Sequence, residues 1–151
     1  MKFNRIIALL ALGFVMHLPF TSFSQCKFFG QKMCSRYLDT YKSNGQDNTA
    51  SMGPGETATI QMIFYKGHDY RLVFCSEEHL GELGIKIKSS RGDVLFDNAD
   101  HDMSFHWDFT MKRTQRFIIE VIAAGMSEEE AMEGCVAIAV GVTPSIHKGF
   151  N

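Results

Sequence analysis

The residues best equipped for chemistry gather in one stretch. Asp97, Asn98, Asp100, His101 and Asp102 are followed by His106 and Asp108, so carboxylates, an amide and two imidazoles fall within twelve positions. Oxygen donation from Asp97, Asn98, Asp100 and Asp102 would suit calcium, and adding His101 and His106 would suit zinc. The spacing departs from the calcium-loop template, which needs a glycine at its sixth position and a distant glutamate. Asp and Asn are also ordinary residues of a hairpin connection. The turn reading is therefore preferred, with Asp97, Asp100, His101, Asp102 and His106 kept as metal candidates.

His106 and Asp108 alternate onto one face of an extended run, a pair that could orient a general base. No nucleophile accompanies them, because no Gly-x-Ser-x-Gly elbow occurs and the cysteines read as oxidised. Tyr65, Tyr70 and Trp107 could make a platform for a sugar ring, yet Trp107 falls in step with apolar neighbours and is expected to be buried. His68-Asp69 reads as part of a turn, and Glu77-Glu78-His79 as a short acidic loop. No catalytic residue is assigned. The expectation is a protein that is not an enzyme and needs no cofactor, calcium or zinc being the alternative.

The elements that must position these residues begin with an address. Met1 to Arg5 is basic, Ile6 to Val15 is apolar for ten residues, and Ser22 and Ser24 stand at the −3 and −1 positions of a cleavage site. That is a secretory signal peptide, residues 1–24, too short in its apolar part to span a bilayer of roughly 20 residues. Gln25 before Cys26 argues against lipid attachment. Cleavage removes Lys2 and Arg5, leaving 13 basic residues against 17 acidic ones and a net charge of −4. No clustered basic surface suggests nucleic acid. The mature chain is expected in the periplasm, at the cell surface or outside, with no stable membrane insertion.

Export changes how Cys26, Cys34, Cys75 and Cys135 are read. An even count in an exported chain of this size favours two disulfides over a zinc site, and no CxxC pair is present. If Lys27 to Leu38 is helical, Cys26 and Cys34 stand about 12 Å apart along its axis, beyond disulfide reach. The bridges would then run from this N-terminal segment to Cys75 and Cys135, in an order left open.

From Gly53 onward the chain alternates. Ala58, Ile60, Met62 and Phe64 share one face, as do Tyr70, Leu72 and Phe74, then Leu83, Ile85 and Ile87. Val94 to Phe96 follows the Ser90-Arg91-Gly92-Asp93 turn. Met103, Phe105, Trp107, Phe109 and Met111 alternate through residues 103–112, and Phe117, Ile119, Val121 and Ala123 continue. Cys135 to Val142 is apolar on both faces and therefore central. Period two implies strands with one face in a core. About seven strands without crossover helices predict an all-β, antiparallel sandwich of jelly-roll or Ig-like type, with a short N-terminal helix tied on by disulfides. The expected layout is 25–52 for helix and loop and 53–151 for the sandwich. The one acidic run, Glu128 to Glu130 in the Met126 to Gly134 loop, reads as a solvated connection.

The span Gly53 to Val142 contains "FYKGHDYRLVFC", "GIKIKSSRGDVLFDN", "FHWDF" and "FIIEVIAAG". This order resembles small exported sandwich modules of the bacterial pre-peptidase C-terminal type. It is also similar to uncharacterised secreted four-cysteine proteins of Bacteroidetes-type bacteria. The resemblance covers about three fifths of the chain and brings no catalytic residue. The export signal, the sandwich pattern and the missing catalytic motif together point to a non-catalytic binding or structural module of the periplasm or cell surface, with a protein or glycan partner in the envelope. The alternative is a small metal-binding protein or metal-dependent hydrolase using Asp97, Asp100, His101, Asp102 and His106.

Overall fold

A chain whose side chains alternate between apolar and polar can satisfy both only by laying one face of a sheet against another. The computed structural model describes residues 26–125 and 132–145, and among them two antiparallel sheets do this. The elements are a short helix α1 (Phe29–Met33) and nine strands. The strands are β1 (Lys42–Ser43), β2 (Asn48–Met52), β3 (Thr57–Phe64), β4 (His68–Ser76) and β5 (Leu83–Ser89). β6 (Val94–Asp97), β7 (His106–Thr110), β8 (Gln115–Ala123) and β9 (Gly134–Pro144) complete them.

Sheet A runs β1-β9-β4-β7, with β2 also paired to β9, and sheet B runs β3-β8-β5-β6. The seven expected strands are present. β1 and β2 are additional, drawn from a stretch read as loop because Ser, Asn, Gly and Asp dominate residues 43–48. The core between the sheets is made by the alternating sets, including Phe64, Leu72, Phe74, Ile85, Ile87, Ile119, Val121, Ile138 and Val140.

β9 is buried on both faces, as its composition requires, but the two faces differ. Val136, Ile138 and Val140 enter the core. Ala137 and Ala139 point outward, where they form a second small cluster with Cys34, Leu38 and Val73. That outer face is covered by residues 26–41. Small side chains let the backbone come close: a Cβ on Gly30 would lie 3.1 Å from that of Ala137.

Two disulfides hold this cover. Cys26 bonds Cys135 and Cys34 bonds Cys75, settling the pairing that the sequence left open. They close loops of 109 and 41 residues, for which chain-entropy arguments give roughly 4–5 kcal/mol each. The helix expected over Lys27 to Leu38 is shorter. α1 ends at Met33, and Ser35–Tyr37 tightens to a 3₁₀ turn before Asp39 takes a left-handed φ of 54°. The segment is anchored at both cysteines, and the tighter turn brings Leu38 down into the outer cluster.

Two further expectations are corrected. The strand expected over 103–112 is confined to His106–Thr110, because Asp102 and Met103 adopt left-handed φ values of 51° and 52°. Phe105 consequently leaves the core and is 45% exposed. The turn expected over Lys66 to Asp69 is tighter, closed by Gly67 at φ 82°, so that His68 and Asp69 already belong to β4. The expected signal peptide (residues 1–24) and Gln25, residues 126–131 of the acidic loop and residues 146–151 lie outside the described residues.

The close approach at Gly30 gives a direct test. Replacing Ala137 by Leu fills the space under α1 and should cost about 1–3 kcal/mol, as overpacking does. Hydrogen exchange should rise over residues 27–38 first, while β3, β5 and β8 keep their protection.

Candidate functional site

The acidic stretch after β6 is built as a turn. The Asp97 carboxylate caps the 3₁₀ turn Asn98–Asp100, accepting from the Ala99 N–H. Asn98 is 1% exposed and is the turn's internal tie. Its Oδ1 accepts from the Ile85 N–H at 2.8 Å, and its Nδ2 donates to the Leu83 carbonyl at 2.8 Å and the Ser104 carbonyl at 3.4 Å. Asp97 also pairs with Lys86 across the β5–β6 ladder at 2.9 Å. That bond, reinforced by the Ala99 N–H, holds its carboxyl below the usual range, while the same contact raises the Lys86 ammonium.

The other candidates point elsewhere. His101 stacks on Phe96 with centroids 5.0 Å apart, Asp100 and Asp102 face solvent, and the His106 ring meets the Phe105 ring at 5.2 Å. Among the described residues, no three His, Cys, Asp or Glu side chains are placed together to hold a metal ion. Asp108 does not serve His106. It takes a bidentate pair from Arg71, with Nε at 2.7 Å from Oδ1 and Nη2 at 2.6 Å from Oδ2.

Arg71 is the centre of a latch on the outer face of sheet A. Its Nη1 donates to the Tyr37 carbonyl at 3.3 Å, and its guanidinium lies 5.0 Å from the centroid of the Tyr41 ring. Opposite Arg71 on β9 stands Gly141, and a Cβ there would meet that of Tyr41 at 2.6 Å. Only glycine leaves room for the tyrosine. The hydrogen bond that Arg71 donates to Asp108 raises the Arg71 pKa, while burial, helped by Asp108, raises the Tyr41 phenol. The three aromatic residues that could have made a sugar platform are dispersed, and Trp107, expected to be buried, is half-buried. Tyr70 is buried, Trp107 stacks between Phe96 and Phe109, and Tyr65 alone stands exposed.

What the latch and the disulfides display is a surface that the sequence reading did not single out. Tyr37 and Phe105 stand 40% and 45% exposed, with rings edge to face at 5.0 Å. The Arg36 guanidinium lies 4.8 Å from the Tyr37 centroid, within cation–π range. Met33, Arg36, Tyr37, Phe74, Cys75, Ser76 and Phe105 line a cleft of about 180 Å³. A second, of about 190 Å³, opens on the other side of Phe105 beside Gly81, Glu82 and Met103. Lys27 and Lys32 extend the positive charge, Lys27 lying 5.6 Å from the exposed Phe28 ring. The signal was present in the sequence as Lys27, Lys32 and Arg36 interleaved with Phe28, Phe29 and Tyr37, with no acid between residues 26 and 38. Phe105 was hidden by the regular alternation of its neighbours.

No protein-family model and no curated protein matches the chain. Among solved structures, it is similar to PliG of Aeromonas hydrophila, a periplasmic lysozyme inhibitor of g-type lysozyme. The two are 12% identical, and the match covers 70% of this chain and 90% of that chain with a TM-score of 0.48. No helix among the described residues is long and apolar enough to cross a membrane.

The Lys86–Asp97 bond fixes the sign of one titration. A carboxyl whose folded pKa is depressed favours the fold above its unfolded pKa, near the ordinary 3.8, and loses that contribution as pH falls through the lower folded value. NMR titration should place the Asp97 midpoint below the ordinary range in the native protein. In Lys86→Met it should move upward. An unmoved midpoint would contradict the pairing.

Proposed function

We propose that this chain is an exported, non-catalytic binding module that engages an acidic protein of the cell envelope through the Arg36–Tyr37–Phe105 face. One observation carries this reading: two large aromatic rings and a guanidinium stand exposed together beside a cleft, Arg36 and Tyr37 on the segment fastened by two disulfides and the Arg71 latch and Phe105 just before β7, packed edge to face on Tyr37. Aromatic side chains and Arg supply much of the energy at protein interfaces, because they bury area with little loss of freedom. Prior fastening lowers the ordering cost of association. Lys27, Lys32 and Arg36 give this face a sign opposite to that of the mature chain as a whole, which favours an acidic partner.

Paired cysteines support an oxidising compartment, in keeping with the leader-like first 24 residues. The resemblance to pre-peptidase C-terminal-type modules, and to secreted four-cysteine proteins, accords with a domain that binds. The metal-binding alternative draws no support from Asp97, which Lys86 already engages, or from His101, which lies on Phe96.

Immobilised mature protein should retain an envelope protein at low salt and release it as salt rises. Phe105→Ser and Arg36→Glu should each weaken retention at least about tenfold, as loss of an interface anchor does. Retention of an anionic glycan by the same residues would redirect the proposal. Equal retention by wild type and both variants would end it.

A further inference from the structure

Strand β3 is one of the two edge strands of sheet B and, among the described residues, pairs on one side only, with β8. Its eight residues carry no charge and no proline, and its register with β8 runs without a shift from Thr57↔Ile122 to Phe64↔Gln115. Edge strands are ordinarily blunted by lysine, proline or a bulge, since their free backbone groups are a template for another strand. β3 has none of these.

The phase of the ladder shows which groups are free. The Ala123 N–H donates to the Glu56 carbonyl at 3.0 Å, which makes Thr57↔Ile122 a non-hydrogen-bonded pair. Ala58, Ile60, Met62 and Phe64 therefore direct their backbone groups at β8. Those of Thr57, Thr59, Gln61 and Ile63 point away from the sheet. The inner side of this edge is apolar. Ala58 and Ile60, both half-buried, help line a groove of about 210 Å³ between β3 and the neighbouring edge strand β2.

The charges just outside β3 select the occupant. Glu56 precedes the strand and Lys66 follows it, both exposed, with Tyr65 55% exposed beside Lys66. A strand that is uncharged along its length, acidic at one end and basic at the other, complements its own reverse. Antiparallel pairing of two copies about a twofold axis at Gln61 sets Glu56 of each opposite Lys66 of the other. It also sets Thr59 opposite Ile63, Ile60 opposite Met62 and Ala58 opposite Phe64. The paired free groups are then those of residues 59, 61 and 63, which is the phase that an antiparallel ladder needs. An axis at Ile60 would set Glu56 against Phe64 and leave both charges without a partner.

We propose that the protein forms a twofold dimer in which β3 of two copies pair antiparallel about Gln61, joining their B sheets and closing each seam with Glu56–Lys66 ion pairs. This surface shares no residue with the Arg36–Tyr37–Phe105 face, so the two ideas stand or fall separately.

Sedimentation of the oxidised mature protein over a wide concentration range tests it. Wild type should be a dimer dissociating on dilution. Lys66→Glu, which sets acid against acid at both ends, should raise the dissociation constant roughly tenfold, and the swap Glu56→Lys/Lys66→Glu should restore much of it. Gln61→Pro removes an N–H that faces away from β8 and should yield a monomer with an unchanged circular dichroism spectrum. A wild-type protein monomeric at about 1 mM, its edge left for a strand of some other protein, would overturn the proposal. So would a dimer whose dissociation constant is indifferent to Lys66→Glu.

Discussion

The constraint on which the structure depends is the two-faced strand β9. It lies between β4 on one side and β1 and β2 on the other, and it must serve two interiors at once. Branched side chains at 136, 138 and 140 enter the main core. Alanines at 137 and 139 and glycine at 141 keep the opposite face low, so that residues 26–41 can lie against it. A bulky outward set would push the segment away, and with it the cysteines that need to reach Cys75 and Cys135. Close approach and covalent closure are thus one arrangement, each requiring the other.

From that arrangement the surface chemistry follows. Burying the outer face of sheet A under residues 26–41 leaves the far side of that segment in water, and there Arg36 and Tyr37 of the 3₁₀ turn are displayed. Arg71 sits where the sheet meets its cover, joining β4, β7 and the segment through Asp108, the Tyr37 carbonyl and the Tyr41 ring. An exposed ion pair contributes little by itself, but a bidentate one that also fastens two separate elements fixes geometry. Among the described residues, sheet B has no such cover. Its outer face carries the half-buried Lys86–Asp97 and Lys88–Glu120 pairs, and among the described residues its edge strand β3 pairs with β8 alone. Among the described residues, one side of the sandwich is covered by the chain itself and the other is not.

Much of this could be read in the residues. Strands with one buried face announced themselves through period two, as in Leu83, Ile85 and Ile87 or Phe117, Ile119 and Val121, and both faces of β9 were visibly apolar. The participation of all four cysteines followed from their number and spacing. Their pairing did not, because only the fold brings residues 26 and 135 together across 109 positions. β1 and β2 escaped because a strand of two residues has no period, and Asn48–Met52 is mostly polar. The alternation through residues 103–105 misled, since two consecutive left-handed residues interrupt the strand and turn Phe105 outward. Backbone conformation at Asp102 and Met103 leaves no trace in hydropathy. The acid-rich run looked like a ligand set because Asp and Asn serve turns and cations alike, and only the partners of Asn98 show which use prevails here.

The account rests on residues 26–41 being part of the folded body, held on the outer face of sheet A by two particular bonds. Peptide mapping of the oxidised protein without reduction reads those bonds directly. The expected result is one linked pair of peptides containing Cys26 and Cys135 and another containing Cys34 and Cys75. A peptide joining Cys26 to Cys34, or the crossed pairing of Cys26 with Cys75, would contradict it.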